Sequence, residues 1–272
     1  MPSGKLAKTL YKLVDFLSTN SLVYKVYEGR LRRQISNGNL PEHIGIILDG
    51  NRRWARERGL PPWAGHEIGA DRVEEVLEWC WELGIKAVTL YVFSTENFQR
   101  SREEVEKIME IVENKLRKML QSDRVHEVRV RVKAIGRLEF LPESVREVLR
   151  ELEEATKDYD SHYLNIAIAY GGRAEIVDAV RKIVEKARAG EIGPEDVDEG
   201  VIEKYLYTSH LPKPELDLVI RTSGEERLSN FLLWQCAYSE LVFLDVYWPD
   251  FRKIDFWRAI RTYQQRVRRF GA

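Results

Sequence analysis

The stretch HIGIILDGNRRWA, residues 43–55, decides how the rest of the chain is read. Ile44 to Leu48 is a short apolar run of the length a buried strand needs, and Asp49-Gly50 ends it with turn chemistry. Asn51 to Ala55 then reads as the start of a helix. A strand that turns into a helix opens a βα unit, and such units build parallel sheets. Ligands of parallel sheets gather beyond the carboxyl ends of the strands, so Asp49 and the residues after it fall where chemistry is expected.

The same alternation continues outward from this segment. Strands are predicted at His43–Leu48, Val88–Ser94, Val128–Ile135, Leu164–Tyr170, Leu216–Arg221 and Leu241–Val246. Between them lie segments of helical period, such as Val73, Val76, Leu77 and Cys80, or Val105, Ile108, Met109, Val112 and Leu116. Ser101 with Glu104 three residues on makes a capping box, and Gly190 sits where a helix stop is expected. The expectation is an α/β fold: one domain with a central, largely parallel six-stranded sheet flanked by helices. No internal repeat, low-complexity tract or linker divides it. Residues 1–40 read as an N-terminal helical extension and residues 41–272 as the catalytic domain. In the extension Leu6, Leu10, Leu13, Val14 and Leu17 form a stripe beside Lys5, Lys8 and Lys12, which either packs on the domain or rests on a membrane surface.

Composition bounds the partners. Over 272 residues, 43 Lys and Arg nearly cancel 44 Asp and Glu, which excludes bulk attraction to nucleic acid and makes any basic site local. A charged fraction of 32% with 10% aromatics describes a well-solvated globular protein rather than a disordered one. Cys80 and Cys236 stand in apolar surroundings without metal-ligand spacing, so they read as buried free thiols in a reducing compartment. No apolar run approaches the ~18 residues of a membrane span. A cytoplasmic location is expected, peripheral to membrane if substrate or product is a lipid.

The predicted strand exits are strongly polar. Asp49-Gly50 alone is explained by a turn, but a turn does not need Arg52 and Arg53 directly after it. A diphosphate does: backbone N–H groups and guanidinium forks both bind it. Asp49 then becomes an oxygen ligand for magnesium, which takes one or two carboxylates and completes its shell with phosphate oxygens and water. The fifth exit, Arg221 to Asn230, carries Arg221, Arg227, Ser223 and Ser229. Glu225 and Glu226 leave room for a merely solvated loop, yet its place at the same sheet end points to a second anion site and two phosphorylated substrates. Trp54, Trp63, Phe93, Phe98, Phe231 and Trp234 crowd these loops; such aromatics are ordinarily core, although an apolar substrate tail needs the same lining. Of the histidines, only His66 stands beside the predicted site. Walker, dinucleotide-binding, zinc-protease and serine-hydrolase signatures are absent.

On HIGIILDGNRRWA, AGHEIGA, LYVFSTENFQR, AIAYGGR and RTSGEERLSNFLLWQCAYSELVF followed by WPDF, the chain resembles the cis-prenyltransferase family from His43 to about Gly271. The resemblance implies a magnesium-dependent transferase that condenses isopentenyl diphosphate repeatedly onto an allylic diphosphate of farnesyl or geranylgeranyl type. The product is then a polycis-polyprenyl diphosphate near undecaprenyl length, a precursor of glycosyl carrier lipid. It assigns Asp49 to catalysis and metal, and Asn97 to proton acceptance or to positioning. Gly50, Asn51, Arg53 and His66 match the allylic diphosphate site, flanked by Arg52 and Trp54. Ser94, Thr95, Glu96, Phe98 and Arg100 match a mobile substrate loop. Arg221, Arg227, Leu228 and Ser229 fall in the isopentenyl diphosphate site, and Glu240 matches a second metal-associated acid. Arg269-Phe270-Gly271 resembles a tail that reaches across a homodimer. Arg52 stands where bacterial members usually have Gly, a feature that resembles archaeal and eukaryotic members, and Pro62 stands where an Arg commonly touches the allylic diphosphate, so that grip is either altered or passed to Arg52 or Arg56. The rival readings are a non-catalytic partner subunit and a phosphate-binding module without turnover.

Overall fold

The computed structural model describes residues 22–36 and 38–266. The predicted stripe from Leu6 to Leu17 and the tail Arg269-Phe270-Gly271 lie outside the described residues. In chain order the helices and strands are α1 (Leu22–Ser36), β1 (His43–Ile47), α2 (Asn51–Glu57), α3 (Pro62–Glu82), β2 (Ala87–Ser94), α4 (Arg102–Leu120), α5 (Asp123–Glu127), β3 (Val130–Ile135), α6 (Glu143–Thr156), β4 (His162–Tyr170), α7 (Gly172–Arg188), α8 (Glu199–Tyr205), β5 (Leu218–Arg221), β6 (Glu240–Phe243) and α9 (Lys253–Gln265). The strands form one sheet in the order β3-β4-β2-β1-β5-β6. Every neighbouring pair is parallel.

Helices cover both faces of the sheet, which is why its strands read as near-continuous apolar runs. Ile44, Ile46, Val88, Leu90 and Leu164 pack with α3, α4 and α6 in the main core. Ile47, Tyr91, Ala167, Val219, Phe231 and Leu232 form a second cluster. Leu31 and Ile35 of α1 are buried, and α1 packs along α9.

The strand ends differ from expectation for local reasons. β3 starts at Val130 because Val128 caps α5 and Arg129 turns through a φ of 55°. Leu216 precedes β5, its N–H given to Gln235 O, while Asp217 accepts the N–H groups of Glu42 and His43. Leu244 and Val246 leave β6, and their carbonyls accept from Gly224 and Ser223 instead.

A thread of polar side chains crosses the buried sheet. His43 Nε2 lies 2.8 Å from Thr89 Oγ1, Asn165 Nδ2 donates to the same oxygen at 3.2 Å, and His210 Nε2 lies 2.9 Å from Asn165 Oδ1. Pro214 O can only accept, so His43 Nδ1 carries the proton and Nε2 receives the Thr89 hydroxyl.

Candidate active site

Asp49 follows β1 into a turn that only glycine fits. Gly50 has a φ of 104°, and a Cβ there would meet Tyr247 Cδ1 at 2.7 Å and Ser223 Cβ at 3.0 Å. Gly65 on α3 is equally constrained: a Cβ would stand 2.0 Å from Asn51 O. These two glycines let α2 and α3 close on the loop that carries Asp49. Thr222, just beyond β5, accepts the Asp49 N–H at 3.1 Å and donates to Asp49 O at 2.7 Å, locking the two strand exits together.

Asp49 faces two arginines. Its Oδ2 accepts from Arg221 Nη2 at 2.7 Å, its Oδ1 accepts the Gly50 N–H at 2.7 Å, and Arg53 Nη2 stands 3.6 Å from Oδ1. Burial raises the affinity of the carboxyl for a proton, but Arg221, the Gly50 amide and Arg53 together outweigh it and hold Asp49 below its ordinary pKa. Arg221 is itself buried and also donates to Ser229 Oγ at 2.8 Å and to Arg227 O. Glu225 bridges Arg53, at 3.1 Å, and the exposed Arg227. The solvated-loop reading is therefore half right: Glu225 pairs with arginines, and one of them, Arg53, also reaches Asp49.

A second cation group lies across the cleft. Glu104, almost fully buried, is 3.2 Å from Arg52 Nε and 3.3 Å from Arg100 Nη1. Arg100 Nη1 is 3.4 Å from His66 Nε2. Burial and the charges of Arg100 and Arg52 push His66 down to about 3, so it is neutral at physiological pH and accepts from Arg100. In the loop after β2, Asn97 Oδ1 accepts the Ser94 N–H at 3.0 Å. Glu96 accepts from Asn230 Nδ2 and Thr95 Oγ1, both at 3.1 Å, which ties this loop to the one after β5.

Asp49, Asn51, His66, Ser94, Glu96, Asn97, Arg100, Arg221, Arg227 and Ser229 line one cleft of about 530 Å³. Sharing Leu48, Asn51, His66 and Val92 with it is an apolar cavity of about 110 Å³, walled by Val73, Leu90, Ile108, Val112, Leu116 and Trp248. Phosphate chemistry and an apolar tail are thus served by adjoining spaces.

Four predicted residues sit elsewhere. Trp54 is buried against Ala55 and Ile68, and its Nε1 donates to Asp250 at 2.7 Å; its phase on α2 turns it away from the cleft. Phe98 packs edge-on to Phe93 with ring centroids 4.9 Å apart, anchoring the loop rather than facing the cleft. Leu228 packs on the Ile47 and Tyr91 cluster. Glu240 is the clearest correction. It starts β6, in register with Leu218, which is itself level with Ile44, five residues before Asp49. At about 3.3 Å per residue that is roughly 16 Å from the carboxyl ends of the strands. There Glu240 pairs with Arg266 at 3.0 Å, so one chain does not bring it to Asp49 as a second metal ligand. Conversely, Thr222, Asn230, Tyr91 and Glu104 belong to the site, although the motif positions singled out in the sequence did not include them.

A prenyltransferase family model described as undecaprenyl diphosphate synthase matches residues 47–271. The chain is 55% identical over 249 residues to a tritrans,polycis-undecaprenyl-diphosphate synthase (geranylgeranyl-diphosphate specific) of Methanopyrus kandleri, covering 92% of this chain and 91% of that one. A protein of the same name from Thermococcus kodakarensis is 54% identical, covering 96% and 99%. Among solved structures, lavandulyl diphosphate synthase from Lavandula x intermedia, in complex with dimethylallyl diphosphate, superposes with a TM-score of 0.83 at 36% identity, over 88% of this chain and 100% of that one. A probable undecaprenyl diphosphate synthase from Campylobacter jejuni gives 0.70 at 33%, over 86% and 100%.

Proposed function

The chain belongs to the undecaprenyl diphosphate synthase family of cis-prenyltransferases, and from that premise we propose how its cleft divides the work. The enzyme condenses isopentenyl diphosphate onto an allylic diphosphate to give a polycis-polyprenyl diphosphate near undecaprenyl length. One observation carries the assignment of roles: Asp49 stands between two groups of cations in a cleft that opens into an apolar cavity.

Arg53, His66, Gly50 and Asn51 hold the allylic diphosphate, with Arg52 and Arg100 braced by Glu104 beside them. Arg221, Arg227 and Ser229 hold isopentenyl diphosphate. Among the described residues no group of three or more His, Cys, Asp or Glu could cage a metal. Magnesium held by one carboxylate and substrate oxygens fits that donor set, with Asp49 as the protein ligand. When bound it supplies charge stabilisation for the departing diphosphate. Arg53, Arg52 and Arg100 add preorganised positive charge around the same leaving group, which favours cationic character at the allylic carbon. Asn97 positions substrate rather than taking the proton, because its amide nitrogen only donates and its amide oxygen, which accepts the Ser94 N–H, is too weakly basic to hold a proton near neutral pH.

The finer assignments rest on particular features. The starter is geranylgeranyl diphosphate rather than the farnesyl ester, supported by the specificity in the names of the archaeal relatives. The enzyme acts as a homodimer, supported by Val177, Val180 and Val184, a half-exposed apolar stripe along α7. No described helix is long and apolar enough to cross a membrane. Peripheral contact is supported by α1, which exposes Leu22, Val23 and Val26 beside Lys25, Arg30 and Arg33. A cytoplasmic enzyme touching membrane through residues 1–40, with residues 41–272 as the catalytic domain, accords with these features. Incubation with labelled isopentenyl diphosphate, geranylgeranyl or farnesyl diphosphate and magnesium tests the whole reading: long polyprenyl diphosphates are expected, and retention of label as monomer would overturn it.

A further inference from the structure

Ser229 and Asn230 both take the left-handed backbone conformation, with φ of 50° and 65°, which costs L residues free energy and persists only where neighbours hold it. Those neighbours come from two other strand exits. The Tyr91 hydroxyl on β2 donates to Ser229 O at 3.1 Å. Beyond β4, Asn230 O accepts the Gly172 N–H at 2.7 Å and Asn230 Oδ1 accepts the Arg173 N–H at 2.9 Å. Asn230 thus takes up the first amides of α7, which a helix cannot satisfy from within, and serves as a cap supplied by a distant loop.

The remaining polar atom of the side chain reaches across the cleft. Asn230 Nδ2 donates to Glu96 Oε1 at 3.1 Å, on the turn after β2 that also carries Asn97. The fit leaves no slack: a Cβ on Gly171 would stand 2.8 Å from Asn230 Nδ2 and 3.0 Å from Thr95 Oγ1. One asparagine therefore touches the exits of β2, β4 and β5. Its two oxygens are fixed on α7, so Nδ2 has a set direction and Glu96 is the partner that can come and go.

Resting on the division of substrates argued above, we propose that Asn230 is a positioning residue that couples the two substrate sites. The β5 side carries Arg221, Arg227 and Ser229 for isopentenyl diphosphate, and the β2 loop carries Asn97 and Arg100 on the allylic side. A diphosphate that orders either loop sets one end of the Asn230–Glu96 contact and so favours ordering of the other. Glu96 is exposed, and against water this bond contributes little. Substrates in the cleft exclude that water, so the bond strengthens only when both loops are in place, which is the differential contact that coupling requires. The Asp49–Arg221 pair links the same sites through charge; Asn230 links them through loop position.

Exchanging donor and acceptor tests this in the whole enzyme. Asn230→Asp keeps an oxygen for the Arg173 N–H, tolerates the left-handed backbone and places its charge at a helix N-terminus, but it replaces the Nδ2 donor with a carboxylate facing Glu96. Adding Glu96→Gln restores a donor and acceptor pair with the roles reversed and the net charge unchanged. The affinity for isopentenyl diphosphate is measured by calorimetry, in magnesium, with and without saturating geranylgeranyl S-thiolodiphosphate, whose poor leaving group prevents condensation. In wild type the analogue is expected to tighten isopentenyl diphosphate about fivefold or more. Asn230→Asp should lower that factor roughly threefold or more, and the Asn230→Asp/Glu96→Gln double variant should recover it. Because the readout is a ratio, any direct repulsion between the new carboxylate and isopentenyl diphosphate cancels. An unchanged factor in Asn230→Asp would overturn the coupling, as would a double variant no better than Asn230→Asp, or wild-type enzyme that binds the two ligands independently. Wild-type enzyme that binds neither ligand would instead overturn the division of substrates on which the proposal rests.

Discussion

Asp49 Oδ2 and Arg221 Nη2 lie 2.7 Å apart, so the carboxylate proposed to hold magnesium is paired with the arginine proposed to hold isopentenyl diphosphate. Metal binding at Asp49 and substrate binding at Arg221 therefore each compete with this ion pair. A diphosphate that engages Arg221 frees Asp49, and the two substrates' sites are coupled through one ion pair.

Asp49→Ala is expected to reduce condensation at least a thousandfold while the fold survives, because the side chain is partly exposed at a strand exit. It also leaves Arg221 buried without its carboxylate, a cost of about 1–3 kcal/mol. Turnover by purified enzyme and a urea melt separate the effects; condensation within tenfold of wild type would remove Asp49 from the chemistry.

The two arginines of the isopentenyl diphosphate site are not equivalent. Arg227 is largely exposed and paired with Glu225, so Arg227→Ala should raise the KM for isopentenyl diphosphate roughly tenfold to a hundredfold with little change for the allylic substrate. Arg221→Ala should raise the same KM but also lower kcat and stability, because it strips contacts from Asp49 and Ser229. Equal effects on the two substrates from Arg227→Ala would show that the sites are wrongly divided.

Pro62 leaves the allylic diphosphate one expected cation short, and the geometry favours Arg52 over Arg56 as the replacement. Arg52, though itself exposed, is tied through Glu104 to Arg100, which lines the cleft beside His66, whereas Arg56 stands a turn further on, in the last turn of α2. Arg52→Ala should raise the allylic KM about tenfold or more, and Arg56→Ala less than twofold. Steady-state kinetics with geranylgeranyl diphosphate decides it: a reversed order would return the role to Arg56.

These residues differ in how far the sequence disclosed them. Asp49, Arg53, Arg221 and Ser229 were legible because hydrophobic runs ending in polar turns mark strand exits, and parallel strands bring their exits together. Glu104 was legible only as a cap. Its N–H does meet Ser101 Oγ at 3.3 Å, but its carboxylate reaches Arg52 on another helix, a partner no local rule can supply. Trp54 follows the motif yet turns into the core, since one turn of helix changes the face presented. Glu240 is instructive in the other direction. A residue that starts a parallel strand lies at the end opposite the exits, so strand direction already argued against the placement that the family pattern suggested.

The buried thread of histidines predicts an acid limb of stability. Burial pushes His43 and His210 each down to about 4. The unfolded chain protonates them near 6.5 while the folded chain does not, so the unfolded state binds more protons and stability falls as pH drops from about 6.5 towards 4. For His43, fully buried, the loss between pH 7.5 and pH 5 is about 2 kcal/mol. Urea midpoints at the two pH values measure it, and His43→Gln should shrink the difference by about that amount, leaving the share of His210 and His66. A midpoint that does not fall in acid would mean that these histidines are protonated in the folded state.

Assembly rests on α7, where Val177, Val180 and Val184 stand 45%, 47% and 51% exposed. Scattered surface valines need no explanation, but these recur at i, i+3 and i+7 on one helix face, the spacing of a contact stripe. Two such stripes related by a twofold axis would cover one another, since a C2 interface is self-complementary. A charge at its centre should therefore act on both subunits at once: Val180→Asp places two carboxylates near the axis and leaves the monomer core untouched. Light scattering should show wild-type dimer and mutant monomer at micromolar concentration, with an unchanged far-ultraviolet spectrum. Activity then distinguishes two kinds of dimer. If Arg269-Phe270-Gly271 completes the neighbour's site, the Val180→Asp monomer loses most of its turnover; if each site is self-sufficient, turnover persists. A Val180→Asp protein that remains a dimer would place the interface on another face.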